Sequence, residues 1–269
     1  MSDNSSDTLS DNAQAHPAPG AGLLAGKVVL VVGGSTGIGA DSVRVFAEEG
    51  ASVMVAARSR DTLAELTEEL TAAGHDVAYS AGDVSVGADV ARFVDDTLAR
   101  FGRLDGAFNN AGINQYGPLD EVSEEDFDRI MAVNVKGTWL CLREEIRAMR
   151  EKGGSIVNTS SVGGFRGNTG LGAYQATKHA VIGFTRTAAH DNGPFGIRVN
   201  VVAPGPTETP MFVQWRHDDP AAVERRIASV PLRKAGTTTE VANAAAWLLS
   251  DRASQVNGVV LPVDGGYSA

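Results

Sequence analysis

The chain has 269 residues, 43% of them hydrophobic and 21% charged, enough apolar material to cover one large core. With 33 acidic against 23 basic residues it carries a formal charge of −10, which disfavours nucleic acid as a partner. No apolar run nears the ~20 residues of a membrane span, Cys141 is the single cysteine, and no secretory leader is legible, so a cytoplasmic protein without disulfides is expected.

In chain order, residues 1–22, rich in Ser, Asp, Asn, Pro and Gly, read as a disordered N-terminal tail. A single domain is expected over 23–269, because no linker or internal repeat breaks the pattern. "KVVLVVG", "ASVMVAA" and "HDVAYSAGD" are Val-rich runs of strand length. Between them, "GIGADSVRVFAEEG" and "DTLAELTEELTAAG" space their apolar residues as helices do and stop at Gly. Helix "SVGADVARFVDDTLARFG" leads to strand "LDGAFNNAG". One long helix is expected from about Ser123 to Arg150, its "SEED" start resembling a capping box and Cys141 a packed thiol within it. Strand "GSIVNTSS", a helix around Tyr174, strand "GIRVNVVAPG", helix "TTTEVANAAAWLLS" and strand "NGVVLPVDGG" complete the series. The rhythm breaks at about 206–235, which reads as a long loop.

Strands buried on both faces are nearly continuous in apolar residues, as these are. The alternation predicts an α/β fold, a Rossmann-type doubly wound parallel sheet of about seven strands with helices on both faces. Ligands of such sheets bind at the carboxyl ends of the strands. There the first strand runs into Gly33, Gly34, Gly37 and Gly39, and a helix follows. Glycines let a backbone approach a pyrophosphate, and a helix N-terminus offers free N–H groups, although a tight turn needs glycine as well. "AYQATKHAV" sets Tyr174 four residues ahead of Lys178, so on a helix the two share a face. An ordinary amphipathic helix would look the same.

The spacing Gly33-x-x-x-Gly37-x-Gly39 resembles the T-G-x-x-x-G-x-G loop of the short-chain dehydrogenase/reductase family, with Val32 where the family has Thr. Further motifs match that family in order: Asp83 and Val84 in "GDVS", "NNAG" at 109–112, Asn134 in "VNVKG", Ser161 thirteen residues before Tyr174, Tyr174-x-x-x-Lys178, "APGPTETPM" and "PVDGGY". The likeness covers about Leu24 to Tyr267. It implies a secondary alcohol/ketone oxidoreductase that transfers a hydride with a nicotinamide dinucleotide. Tyr174 would be the general acid/base, and Ser161 would bond the substrate oxygen. Lys178 would lower the Tyr174 pKa and hold the nicotinamide ribose, and Asn134 would help relay a proton through water. A lysine ammonium at ~5 Å, in an effective dielectric of ~20, stabilises a phenolate by roughly 3 kcal/mol.

Cofactor contacts are expected from Gly33, Ser35, Thr36, Gly37, Ile38, Gly39, Arg58, Asp83, Val84, Asn110, Ala111, Gly112, Tyr174, Lys178, Pro204, Gly205, Thr207 and Thr209. Specificity is read at the end of the second strand, where Ala57 stands in place of the Asp of NAD-preferring members and Arg58 follows. A guanidinium can grip a 2′-phosphate, so NADP is expected, with NAD as the alternative and Thr36 neutral where some NADP-binding members are basic. Phe212 and Trp215 would cover the substrate from a lid at 206–235, beside Ser161 and Tyr174. No metal site is singled out. The resemblance also implies a homo-oligomer, usually a tetramer, acting on a small molecule. Two other readings fit less of the pattern: a catalytically silent dinucleotide-binding regulator, and a reductase of C=C or C=N bonds.

Overall fold

In the computed structural model residues 22–269 are described. The tail expected over 1–22 therefore lies, apart from Gly22, outside the described residues. The sheet consists of β1 (Val28–Val32), β2 (Ser52–Ala57), β3 (Val77–Ala81), β4 (Gly106–Asn109), β5 (Gly154–Thr159), β6 (Ile197–Pro204) and β7 (Val260–Val263). Their order is β3-β2-β1-β4-β5-β6-β7, and every pairing is parallel. All five side chains of β1, "VVLVV", are buried, as a central strand covered on both faces requires.

Helices α1 (Gly37–Glu48), α2 (Arg60–Ala72) and α9 (Thr238–Leu249) pack on one face, where Val43, Phe46, Leu63, Ala245 and Leu248 close a core over β1 and β2. Helices α3 (Gly87–Phe101), α5 (Gly137–Met149) and α6 (Gly172–Asn192) cover the other face through Val90, Phe93, Leu140, Cys141 and Ala188. Cys141 is only 1% exposed, and burial pushes its thiol pKa well up, so it is a packed, inert thiol. The strand order reverses between β1 and its neighbours β2 and β4. The pairing Val32↔Asn109 sets Gly33 and Asn110 side by side at the carboxyl edge, where an open α/β sheet binds its ligand.

Two stretches differ from their sequence reading. The rod expected over Ser123–Arg150 is continuous but not uniform: α4 (Glu124–Ile130) passes through a π-helical segment, Met131–Lys136, before α5 begins. Ser123 caps it by accepting from the Asp126 N–H at 3.1 Å, whereas the reciprocal capping box is found on α9, between Thr237 and Glu240. The segment read as a loop folds as two short helices, α7 (Pro210–Asp218) and α8 (Pro220–Ala228). Each begins with proline at its first position behind a capping side chain, Thr209 accepting from Phe212 N and Asp219 from Ala222 N. Phe212, Val223 and Ala235 form a small core of their own, with Trp215 and Ile227 against it. The feet of this hairpin are tied together by the Thr207↔Gly236 bridge and by Gly236 N donating to Pro206 O at 2.8 Å.

Candidate active site

The glycine loop is closed by contacts that no larger residue could share. Gly33 has φ 83°, and a Cβ on it would lie 2.5 Å from the Ala111 nitrogen. A Cβ on Gly39 would sit 2.0 Å from the Gly33 oxygen. Asn110 locks this edge: its Nδ2 donates to Gly33 O at 3.2 Å, while its Oδ1 accepts from Thr159 Oγ1 at 3.3 Å. Thr36 precedes α1 without a side-chain capping bond, so the first-turn N–H groups have no side-chain acceptor and can meet an anion.

Two adjoining clefts open on this edge. One, of about 280 Å³, is lined by Gly33, Ser35, Arg58, Asp83, Val84 and Ala111 among others. Arg58 is exposed there and forms no ion pair among the described residues. Asp83 Oδ1 is taken by the N–H and hydroxyl of Ser85, at 2.8 and 2.7 Å. The second cleft, of about 500 Å³, brings together Gly37, Ile38, Ser161, Tyr174, Lys178, Pro204, Gly205, Thr207, Thr209, Phe212 and Trp215. Thr36, Asn110 and Gly112 line both. Of the residues singled out from sequence, Gly34, Gly39 and Asn134 are among those that line neither: Gly39 is packed beneath the loop and Asn134 stands behind the wall.

On α6, Tyr174 and Lys178 share a face, with Nζ 5.7 Å from the centre of the phenol ring. Lys178 is buried, and its Nζ donates to the Thr159 carbonyl at 2.9 Å, leaving its other N–H groups toward the cleft. Ser161 follows β5 in extended conformation, and its Oγ accepts from Gly163 N at 3.1 Å, so its own O–H is free to donate. Asn134 sits in the π-helical segment, a common place for a functional side chain. Its Oδ1 accepts from Ile113 N at 2.8 Å, and its Nδ2 donates to Ile113 O at 2.9 Å and Thr177 Oγ1 at 3.1 Å. Both amide hydrogens are thus committed. The side chain clamps the strand-β4 loop to α6.

Burial acts on Tyr174 against the lowering expected from Lys178. Burial pushes it up to about 12, with Ser161 pulling it down and Tyr116 pushing it further up. Desolvation also draws Lys178 down to about 8.

A buried polar chain lies behind the site. Asn109 Nδ2 donates to Glu145 Oε2 at 2.9 Å and to Asn158 Oδ1 at 3.0 Å, and Asn158 Nδ2 donates to Thr185 Oγ1 on α6 at 2.9 Å. Burial raises the Glu145 carboxyl to about 8 while Asn109 pulls it down.

Sequence reasoning passed over Asn114, Tyr116, Leu171, Met211 and Arg226, all of which line the larger cleft. Asn114 and Tyr116 follow "NNAG" at a strand's carboxyl end, a signal that was available. Arg226 was hidden because the helical spacing of α8 was not recognised.

A family model described as Enoyl-(Acyl carrier protein) reductase matches residues 32–268. The chain belongs to the short-chain dehydrogenase/reductase family. It is an oxidoreductase of that family with the family's parallel sheet. Over 253 residues it is 44% identical to the A-factor type gamma-butyrolactone 1'-reductase (1S-forming) of Streptomyces virginiae, covering 92% of this chain and 97% of the relative. It is 47% identical to a 2,5-dichloro-2,5-cyclohexadiene-1,4-diol dehydrogenase of Sphingobium indicum, covering 91% and 98%. Among solved structures, an actinorhodin polyketide ketoreductase variant with NADPH superposes with a TM-score of 0.86 at 32% identity, covering 90% of this chain and 97% of that one.

Proposed function

We propose that this oxidoreductase interconverts a ketone and a secondary alcohol of small-molecule size, using NADP in preference to NAD. One observation carries the reading: the Ser161 hydroxyl, the Tyr174 phenol and the Lys178 ammonium open into a single cleft that continues into the glycine-loop cleft. When bound, the dinucleotide supplies the hydride in reduction and takes it in oxidation. Tyr174 donates its proton to the carbonyl oxygen, and Ser161 holds that oxygen through its free O–H. The free N–H groups of Lys178 would hold the nicotinamide ribose hydroxyls. Asn134 is a positioning residue that fixes the Ile113 wall against α6. The first-turn N–H groups of α1 would hold the pyrophosphate, and Asp83 with Val84 would hold the adenine. Ala57 offers no carboxylate to a ribose 2′-OH, and the unpaired Arg58 offers a guanidinium to a 2′-phosphate. Helices α7 and α8 form the lid, with Phe212 and Trp215 against an apolar substrate.

The dehydrogenase and ketoreductase names among the relatives support carbonyl chemistry. A second reading, reduction of a C=C bond, is favoured by the printed description of the family model. The two separate on a cyclic enone incubated with NADPH or NADH. Carbonyl reduction gives the allylic alcohol, with NADPH the better donor. The saturated ketone as product would favour the second reading, and no cofactor consumption with any ketone or enone would favour a silent binding protein. The same reading takes the protein as a homo-oligomer, in the family manner a tetramer. Exposed Phe127 and Trp139 along the α4–α5 rod support an assembly face, which the molar mass in solution tests.

A further inference from the structure

The cleft around Tyr174 is largely apolar on its lid side, where Leu171, Met211, Phe212 and Trp215 meet. One cation besides Lys178 reaches it: Arg226, in the last turn of α8. Among the described residues no carboxylate lines this cleft, and Arg226 forms no ion pair with any of them. Its neighbour on the lid, Arg216, is by contrast paired with Glu208. Arg226 is half-buried, and its Nη1 donates to the Tyr267 hydroxyl, with the guanidinium 5.4 Å from the centre of that ring. Arg166, from the segment after β5, lies 4.8 Å from the same ring and donates to the Tyr267 carbonyl. Tyr267 therefore fixes Arg226 in place against the body of the protein and leaves the guanidinium's remaining donors unmet by protein. A partly desolvated cation on an apolar wall is stable when its donors find an acceptor. Nothing in the chemistry at Ser161, Tyr174 and Lys178 uses this one.

We infer that Arg226 recognises a second carbonyl-type oxygen of the substrate, distinct from the one held by Ser161 and Tyr174. The substrate class is then a ketone that also bears a keto, ester or carboxylate oxygen. The inference rests on the ketone-reductase reading above and narrows it. Tyr267 acts through Arg226 as a positioning residue.

The test compares cyclohexanone, its para-dione and its para-keto acid as substrates with NADPH, in wild type, Arg226→Met and Tyr267→Phe. In wild type the KM of the dione falls about tenfold below that of cyclohexanone, as expected for one hydrogen bond to a charged donor. A further fall with the keto acid identifies an anionic second oxygen, and equality with the dione a neutral one. Arg226→Met brings the ratio of KM values to about one, while Tyr267→Phe, which keeps the guanidinium, retains most of it. The inference is overturned if wild type shows no gap, or if the gap survives Arg226→Met. It is also overturned if Tyr267→Phe erases the gap as completely as Arg226→Met, since the effect would then be lid attachment. Failure of all three compounds, and of every other ketone and enone tried, to consume cofactor would sink the ketone-reductase reading instead. The Arg226 claim is then read from the change in intrinsic tryptophan fluorescence on titration with the same compounds in the presence of NADP, in proteins carrying Trp139→Phe and Trp247→Phe so that Trp215 alone reports. Tighter binding of the dione, lost on Arg226→Met, sustains it, and equal binding of dione and cyclohexanone overturns it.

Discussion

A phenol held near pKa 12 donates a proton at neutral pH but seldom accepts one. Tyr174 is therefore in its working state for ketone reduction, and alcohol oxidation has to draw on a small phenolate population that grows with pH. The ratio of oxidation to reduction rates should rise as pH rises from about 7 to 10. Replacing Lys178 by Ala removes a cation and should move the alkaline limb of the oxidation profile to higher pH. A limb that stays in place would exclude Lys178 as the charge that stabilises the phenolate. At the other end of the site, Arg58→Ala should raise the KM for NADPH about ten- to a hundredfold, the worth of a charge-assisted contact. It should change the KM for NADH far less, because NADH has no 2′-phosphate. Equal KM values for the two cofactors in wild type would count against Arg58 as a phosphate ligand. Tyr174 and Lys178 were legible as a pair because four positions are about one helical turn, whereas Ser161 was legible only through its likeness to the family's motif. Their protonation was not legible, because desolvation depends on neighbours brought in from β5, α6 and the strand-β4 loop.

Among the elements, the buried chain from Glu145 on α5 through Asn109 and Asn158 to Thr185 on α6 ties two helices to two strands. Glu145 Oε1 and Asn109 Oδ1 have no protein partner. A protonated carboxyl brings a donor to this cluster, whereas an ionised one adds only another unmet acceptor. The folded protein holds the Glu145 proton up to about pH 8, against 4.5 for the ordinary carboxyl. Its stabilising contribution is therefore complete below about pH 4.5 and is lost as pH rises toward 8. Glu145→Gln keeps a neutral polar group there. Its melting temperature should match or fall below that of wild type near pH 5 and exceed it near pH 9, by roughly 2–4 kcal/mol of stability. A difference that does not change with pH would contradict a neutral buried Glu145. The lid belongs to this scale as well. The charged, proline-bearing segment 206–235 reads as a loop because each of its helices has only 9 residues, too few to establish a helical period. The signals that start them, Thr209-Pro210 and Asp219-Pro220, are caps rather than periodicity. Phe212 is buried against Val223 as well as lining the cleft, so Trp215 is the cleaner probe of substrate contact. Trp215→Ala should raise the KM for bulky ring ketones several-fold more than for small open-chain ones. An equal effect on both would assign Trp215 to lid packing alone.

At the scale of the whole molecule, one crossover pattern decides where everything converges. The order β3-β2-β1-β4-β5-β6-β7 places the carboxyl ends of β1 and β4 at the reversal point, with β5 and β6 beside them. Gly33, Asn110, Ser161 and Pro204 each follow or end one of these four strands, so residues more than a hundred positions apart share one edge. The parallel sheet was legible because its strands are buried on both faces and read as unbroken Val-rich runs. The π-helical segment at Asn134 was not legible, since "MAVNVK" carries no helix-breaking residue and its geometry follows from the clamp on Ile113 and Thr177. Everything proposed for this edge depends on Tyr174 being the proton carrier of a ketone reductase, and kinetics of a single variant decide it. The kcat for reduction of a cyclic ketone by NADPH is compared between wild type and Tyr174→Phe, with NADPH binding followed by titration in both. The ring is kept and only the hydroxyl is removed, so NADPH binding should stay within about twofold while kcat falls by ~10²–10⁴. A variant that binds NADPH and retains more than about a tenth of wild-type kcat would contradict the assignment.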